Sequence, residues 1–224
     1  MPKVLVVDVG GTNVKVLATG EADRRRTPSG AAMTPSQMVS EAVALAEGWE
    51  WDVVSVGVPA PVRNDRVLAD PVNLGEGWTD FDFAAAFGHP TKVVNDAAMQ
   101  ALGSYEGGKM LFLGLGTGLG SAFAMNGLVA PMELGHLPYK RGTFESYVGK
   151  AGLRERGTKK WQAHVETVVA VLSAGLHPDY VVLGGGNASK LRQLPSGSRL
   201  GTNANAFEGG FRLWAADAPA RIEA

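Results

Sequence analysis

Asp8-Val9-Gly10-Gly11-Thr12 puts a carboxylate, two glycines and a hydroxyl between two apolar runs, and Asn13 and Lys15 follow at once. Glycine turns let backbone amides approach an anion with no Cβ in the way, and a threonine hydroxyl adds a further donor. Lys15 adds positive charge. A carboxylate in such a place repels phosphate unless a cation bridges the two, so Asp8 points to Mg²⁺–phosphate, with Asp8 serving the metal indirectly, rather than to bare phosphate. An ordinary hairpin with a capping aspartate accounts equally for one such turn. A second Gly-Thr turn, Gly116-Thr117-Gly118, lies about 105 residues later, and a third loop is Gly184-Gly185-Gly186. Matched turns with a third glycine loop make coincidence the poorer account.

Two better-known phosphate motifs fail. A P-loop needs a glycine directly before the lysine, and Val14 precedes Lys15. A dinucleotide fingerprint starting at Gly114 ends on Leu119, and one starting at Gly116 ends on Ser121.

The elements that must carry these turns are legible. Residues 3–9 and 14–19 predict two buried strands joined by a hairpin-type connection, and a third strand is expected near Asp23–Thr27. Thr34 before Pro35 is an N-cap signal for a helix ending at Gly48. "WDVVSVGVPAPV" reads as a buried strand entering a Pro-rich loop, with a short helix expected after Thr79. "TKVVNDAAMQALGS" reads as a strand followed by a helix that opens at Asn95 or Asp96. In the second half, "KMLFLGLGTGLGSAFAMNG" gives strand, glycine turn, strand and an Asn-Gly turn. Trp161, Val165, Val168, Leu172 and Leu176 form one face of a long helix from Thr158, which a strand and the third glycine loop follow. A last helix is expected to break near Gly209-Gly210, with "AADAPARIEA" as a frayed end. The repeat of strand–turn–strand units suggests two similar halves facing each other across a cleft.

Composition limits the alternatives. The chain has 224 residues, 45% of them hydrophobic, and a formal net charge of −1, so nothing points to nucleic acid or an anionic membrane. There are no cysteines, which excludes disulfides, thiolate metal sites and thiol nucleophiles. No apolar run approaches a membrane span, and Met1-Pro2-Lys3 leads directly into a strand, so a cytoplasmic protein without a signal peptide is expected.

"DVGGTNVKV", "VNDAAMQALGSYEGG", "GLGTGLGSA", "ELGH" and "VVLGGG" occur in an order that resembles the ROK family of sugar kinases, and within it the short polyphosphate/ATP glucokinases. The resemblance runs from Val4 to about Trp214. It implies an α/β fold, a two-lobed actin-like ATPase (ribonuclease H-like) architecture of mixed sheets with flanking helices and a central cleft. The expected lobes are 1–107 together with a C-terminal helix over 207–224, and 108–206. Asp8, Gly10, Gly11, Thr12, Asn13 and Lys15 match the first phosphate loop, and Gly116, Thr117 and Gly118 match the second. Gly184, Gly185, Gly186 and Asn187 match the loop that holds the nucleotide in ATP-using relatives. Asn95 matches a sugar-binding Asn and Asp96 the catalytic base. Asn73, Glu133, His136 and Glu145 match sugar contacts. The implied reaction is phosphoryl transfer from polyphosphate or ATP, with Mg²⁺, to the 6-hydroxyl of glucose or a related hexose, in a homodimer.

The chemistry of the residues agrees. A sugar hydroxyl needs an acceptor for its proton and a donor phosphate held in line. Asp96, after a buried strand and at a helix start, has a rigid mount for that task, although capping the helix is the plainer role for Asn95 or Asp96. Glu133 and His136, three apart, can satisfy neighbouring sugar hydroxyls. His89, His164 and His177 read as structural or solvated.

Three departures from the family stand out. The Cys ligands of the zinc motif that many relatives carry after E-x-G-H are impossible here, so no structural zinc is expected and packing alone must hold "LPYKRGTFESYVG". Only about 20 residues separate Gly186 from the final helix, leaving little to wrap an adenine. Ala60-Pro61 stands where Pro-Gly is usual, which leaves the sugar open. Ten Lys and Arg residues between Lys109 and Arg192 offer either a polyphosphate channel or a solvated surface. A sugar-sensing regulator and a degenerate kinase are the alternatives, the first lacking an N-terminal helix-turn-helix and the second lacking no expected catalytic residue.

Overall fold

A computed structural model describes residues 2–202 and 204–223. In chain order its elements are β1 (Val4–Val9), β2 (Asn13–Ala18), β3 (Arg25–Pro28), α1 (Pro35–Leu45), β4 (Val53–Val58), β5 (Val62–Arg63), β6 (Arg66–Val67), α2 (Phe83–Phe87), β7 (Thr91–Asn95) and α3 (Asp96–Ser104). There follow β8 (Met110–Leu115), β9 (Leu119–Met125), β10 (Leu128–Met132), β11 (Pro138–Tyr139), β12 (Gly142–Thr143), α4 (Phe144–Val148), α5 (Lys150–Leu176), β13 (Tyr180–Gly184), β14 (Ser198–Leu200), α6 (Asn205–Arg212) and β15 (Arg221–Ile222). No described helix is long and apolar enough to cross a membrane.

Two mixed sheets organise the chain. The first has the order β3-β2-β1-β4-β7, with β1, β4 and β7 parallel and the β1–β2–β3 meander antiparallel. The second has the order β14-β13-β8-β9-β10-β15 and repeats the pattern of parallel strands beside an antiparallel hairpin. β1 and β4 are buried along their whole length, as strands covered on both faces must be. One face of the first sheet packs Leu5, Val7, Val14 and Val16 on Met38 and Ala42 of α1 and Phe83 and Phe87 of α2. The other packs Val4 and Val6 on Met99 of α3 and Phe207 of α6. The second sheet sets Leu111, Leu113 and Leu183 against Trp161, Val165 and Leu172 of α5. Its other face sets Phe112 and Ala122 against Ala98, Ala101 and Leu102 of α3. α3 therefore lies between the two sheets and packs on both.

Local signals act largely as their chemistry requires. Thr34 caps α1 in a full capping box with Gln37. α5 breaks at Gly157, whose φ is +69°, so a regular helix does start at Thr158. The short helix expected after Thr79 is α2, capped by the Asp82 carboxylate, which accepts from the backbone three residues on, at Ala85. Three expectations need correction. The third strand is Arg25–Pro28, not Asp23–Thr27. The last helix is not broken at Gly209-Gly210 but runs through them. A Cβ on Gly209 would strike the Met99 carbonyl, and one on Gly103 the Asn205 carbonyl, so these glycines exist to let α3 and α6 touch backbone to backbone. Finally, the helix expected over 207–224 ends at Arg212, and the segment beyond is not frayed. Ala220 is buried, and β15 pairs in parallel with β10 of the second sheet.

Candidate active site

The β1–β2 turn is held from within by a Gly10 N–H···O Asn13 bond of 3.0 Å. It is held from outside by Ser29, whose N–H donates to Thr12 (3.0 Å) and whose hydroxyl donates to the Gly10 carbonyl (2.5 Å). Asp8, at the end of β1, is buried, and its Oδ2 pairs with Lys15 Nζ at 2.8 Å. Lys15 is thus the counter-ion of Asp8 in this structure, not a free phosphate ligand. Gly11 is where two loops meet: a Cβ there would lie 3.1 Å from Asn73 Cβ and 3.7 Å from Thr117 Oγ1. The first glycine turn, the Asn73 loop and the second glycine turn therefore converge on one point, from both sheets.

Asn95 closes β7 and caps α3. Its Oδ1 accepts from Ala97 and Ala98 (3.0 and 3.1 Å), and its Nδ2 donates to the Ala60 carbonyl (3.1 Å). Most of its hydrogen-bonding capacity serves the fold, and it ties the Ala60-Pro61 loop to the start of α3. Asp96 is the first residue of α3. Burial and the negative charge of Asp8 push its carboxyl up to about 7, with Glu133 adding to the rise. The Ala97 N–H and Lys15 oppose that rise. Asp8, Lys15, Asp96 and Glu133 therefore share one electrostatic neighbourhood.

Glu133 precedes a single 3₁₀ turn, Leu134–His136, and its Oε2 lies 3.9 Å from His136 Nδ1. Both side chains are more than half exposed, so the pair opens to solvent. Burial raises the Glu133 carboxyl, His136 lowers it and Glu145 raises it again. Glu145, on α4, reaches back so that a Cβ on Gly118 would meet its Oε2 at 2.5 Å, and one on Gly135 its Cβ at 3.5 Å. Glu145 thus stands between the second glycine turn and the Glu133–His136 turn.

The third loop lies against the second turn. Gly185, with φ +80°, has room for no Cβ over the Leu115 backbone, and Asn187 Nδ2 donates to the Gly116 carbonyl at 3.0 Å. Lys190 donates to Asn187 Oδ1 (2.9 Å). Gly184–Gly186 are joined to the Gly116–Gly118 turn through Asn187 and the Leu115 backbone.

The segment after His136 is held by more than packing. Tyr139, Phe144, Tyr147 and His164 form a ring cluster in which Tyr139 Oη and His164 Nδ1 lie 3.1 Å apart and Arg156 stacks 4.1 Å over Tyr147. His164 is therefore structural, with its imidazolium disfavoured by burial and by Lys140 and Arg156. Sequence reasoning missed the Ser29 tether and this cluster. No spacing links Tyr139 to His164 or Ser29 to the Gly10 turn.

The donor set suits a Mg²⁺ that keeps water and substrate ligands: one buried carboxylate, Asp8, stands at the end of β1 where the first glycine turn begins. Among the described residues no group of three or more His, Asp or Glu forms a complete protein cage.

Comparison with known proteins gives the same picture. A polyphosphate glucokinase of Mycobacterium tuberculosis (strain CDC 1551 / Oshkosh) is 27% identical over 207 residues, covering 82% of this chain and 77% of the relative. A glucokinase of Pyrobaculum calidifontis is 27% identical over 180 residues, covering 68% and 59%. Among solved structures, an inorganic polyphosphate/ATP-glucomannokinase from Arthrobacter sp. strain KM superposes with a TM-score of 0.80 at 24% identity, covering 92% of this chain and 96% of that one. A ROK family glucokinase from Streptomyces griseus, solved with glucose and AMPPNP, gives 0.75 at 16% identity, covering 92% and 97%. These likenesses establish the two-sheet actin-like ATPase fold. With residues 4–155 matching the ROK family model, the glycine turns and the Asp96 neighbourhood lie within the matched region, and the chain belongs to the ROK family.

Proposed function

We propose that this chain is a hexose kinase that transfers a phosphoryl group from polyphosphate or ATP to the 6-hydroxyl of glucose or a close relative. The observation that carries the reading is Asp96: a carboxyl raised to about 7, on a rigid helix start, in the field of Asp8 at the foot of the first glycine turn. A carboxylate with that affinity for protons is matched to accepting one from an alcohol near neutral pH. Glu133, His136, Glu145 and Asn73 hold and orient the sugar hydroxyls, and Asn95 acts by fixing the mount of Asp96. The amides of Gly10–Asn13 and Gly116–Gly118 receive the terminal phosphoryl, while Gly184–Asn187 take the nucleotide when ATP is the donor. Asp8 would hold Mg²⁺ through its water shell, and the ion, when bound, neutralises charge on the transferring phosphoryl group. Lys15, released from Asp8 when the ion arrives, would turn to the phosphate. The Mycobacterium and Arthrobacter relatives bring polyphosphate into consideration as donor, and the short path from Gly186 to α6 agrees with a donor that needs no adenine pocket. A cytoplasmic homodimer completes the proposal.

A coupled assay for glucose 6-phosphate with Mg²⁺, comparing polyphosphate with ATP, tests it. The expected result is product with at least one donor and loss of product in Asp96→Asn. No product from any hexose, with sugar binding retained, would overturn the kinase reading in favour of a sensor.

A further inference from the structure

Asp8, Lys15 and Arg26 occupy one register row across β1, β2 and β3: Asp8 is opposite Lys15, and Lys15 opposite Arg26. Residues opposed in this way carry their side chains on the same face, with Cβ atoms about 4.5–5.5 Å apart. That face looks toward Asp96, whose carboxyl feels both Asp8 and Lys15. Lys15 is engaged by Asp8. Arg26 is exposed and makes no ion pair or side-chain hydrogen bond among the described residues. Its neighbour Arg25, on the other face, is fully engaged, donating to the carbonyls of Leu45 and Glu47 and lying 4.1 Å over Trp49.

Two cations directly opposed across strands disfavour the pairing. Asp8 neutralises one of them, so the row keeps one positive charge with no protein partner. β3 is the edge of the sheet, so the row runs from the site out to solvent. The strand is also tied to the glycine turn through Ser29, which holds Arg26 in fixed relation to the phosphate loop. Two strand spacings, about 10 Å, separate β3 from β1. That distance is too long for the reacting phosphoryl group to span and suits units further along a chain.

We infer that Arg26 forms an outer subsite for a linear phosphate polyanion, holding phosphoryl units beyond those gripped by the two glycine turns. The inference rests on the donor reading above and adds a direction to it: the chain leaves along the edge strand β3, away from the Gly184–Gly186 loop.

The test is direct binding of fluorescently labelled long-chain polyphosphate, without sugar, over a series of salt concentrations, to wild type, Arg26→Ala, Arg26→Lys and Arg63→Ala. Arg26→Ala is expected to weaken binding about three- to tenfold and to flatten the slope of log K against log salt by about 0.7, the value of one lost phosphate contact. Arg26→Lys should recover most of the affinity, and Arg63→Ala, on an exposed hairpin, should match wild type. Unlabelled tripolyphosphate, as competitor, should lose less affinity than the long chain. An unchanged slope and affinity in Arg26→Ala overturn the inference, as does a wild type that binds no polyphosphate. An equal loss for tripolyphosphate also overturns it, because that would place Arg26 on the reacting phosphates. The coupled assay run on the same wild-type sample separates the two readings: binding without glucose 6-phosphate refutes the donor role and leaves Arg26 judged by the binding data.

Discussion

As the proposed base, Asp96 sets catalysis and stability against each other. Its carboxyl titrates near 7 in the folded chain against an ordinary 3.8. Between those values the native state holds a proton that the unfolded state has lost, so this group's contribution to stability is full below about pH 4 and is lost as pH rises through 7. Asp96→Asn is therefore expected to raise thermal stability at pH 8, by about 1–3 kcal/mol after solvent screening is discounted, while lowering kcat by about 10²–10⁴. Calorimetry and the coupled assay on one preparation check both halves. In the wild type, kcat/KM should rise with pH through about 7, because only the ionised carboxylate accepts the proton, and that limb should vanish in the variant. Gly118 offers a second separation. A methyl there meets only the tip of the Glu145 side chain, which can swing away. Gly118→Ala should leave folding nearly unchanged and raise the KM for sugar, read by steady-state kinetics with donor saturating.

Among the elements, the crossing of α3 and α6 is governed by missing atoms. Gly103 and Gly209 each face a backbone carbonyl of the other helix, and backbone cannot rotate aside. Gly209→Ala should cost about 3 kcal/mol or more and lower Tm, measured by thermal denaturation. The α4 segment gives a milder case. Tyr139→Phe removes the hydroxyl that meets His164 and should cost about 1 kcal/mol, while raising the KM for sugar more than that for donor, since Glu145 and His136 flank the cluster. These two cases show what could be read in advance and what could not. Strands such as VLVVDV and VVSVGV, and the Asn95–Asp96 helix start, declare themselves by local pattern. So do the glycine turns, because a turn is chemistry between neighbours in sequence. The same logic misread Gly209-Gly210 as a break, since Gly209 answers to α3, about 100 residues away, and Gly210 to Val6 of β1. Nor does it show the pairing of Lys15 with Asp8, which is visible only once β1 and β2 are paired in register.

For the molecule as a whole, both sheets send glycine turns to one point, and α3, packed on both, carries Asp96 into the field of Asp8 at the foot of the first turn. Most of that plan could be read from the sequence, because the two halves repeat. The route of the tail could not, since "RIEA" is too short to show any periodicity. After α6 docks on the first sheet, through a Ser55 hydroxyl bond to the Gly210 carbonyl and a Trp214 indole bond to Ser55, the chain crosses to the second sheet. There the Arg221 and Glu223 amides close on the carbonyls of Gly127 and Val129. During synthesis, then, β10 emerges long before β15 and must wait with one edge bare. An unpaired edge is a template for another chain, and β15 serves as the cover that retires it. β15 is in this sense an aggregation guard: until residue 221 is free to pair, the β10 edge stays open to another chain.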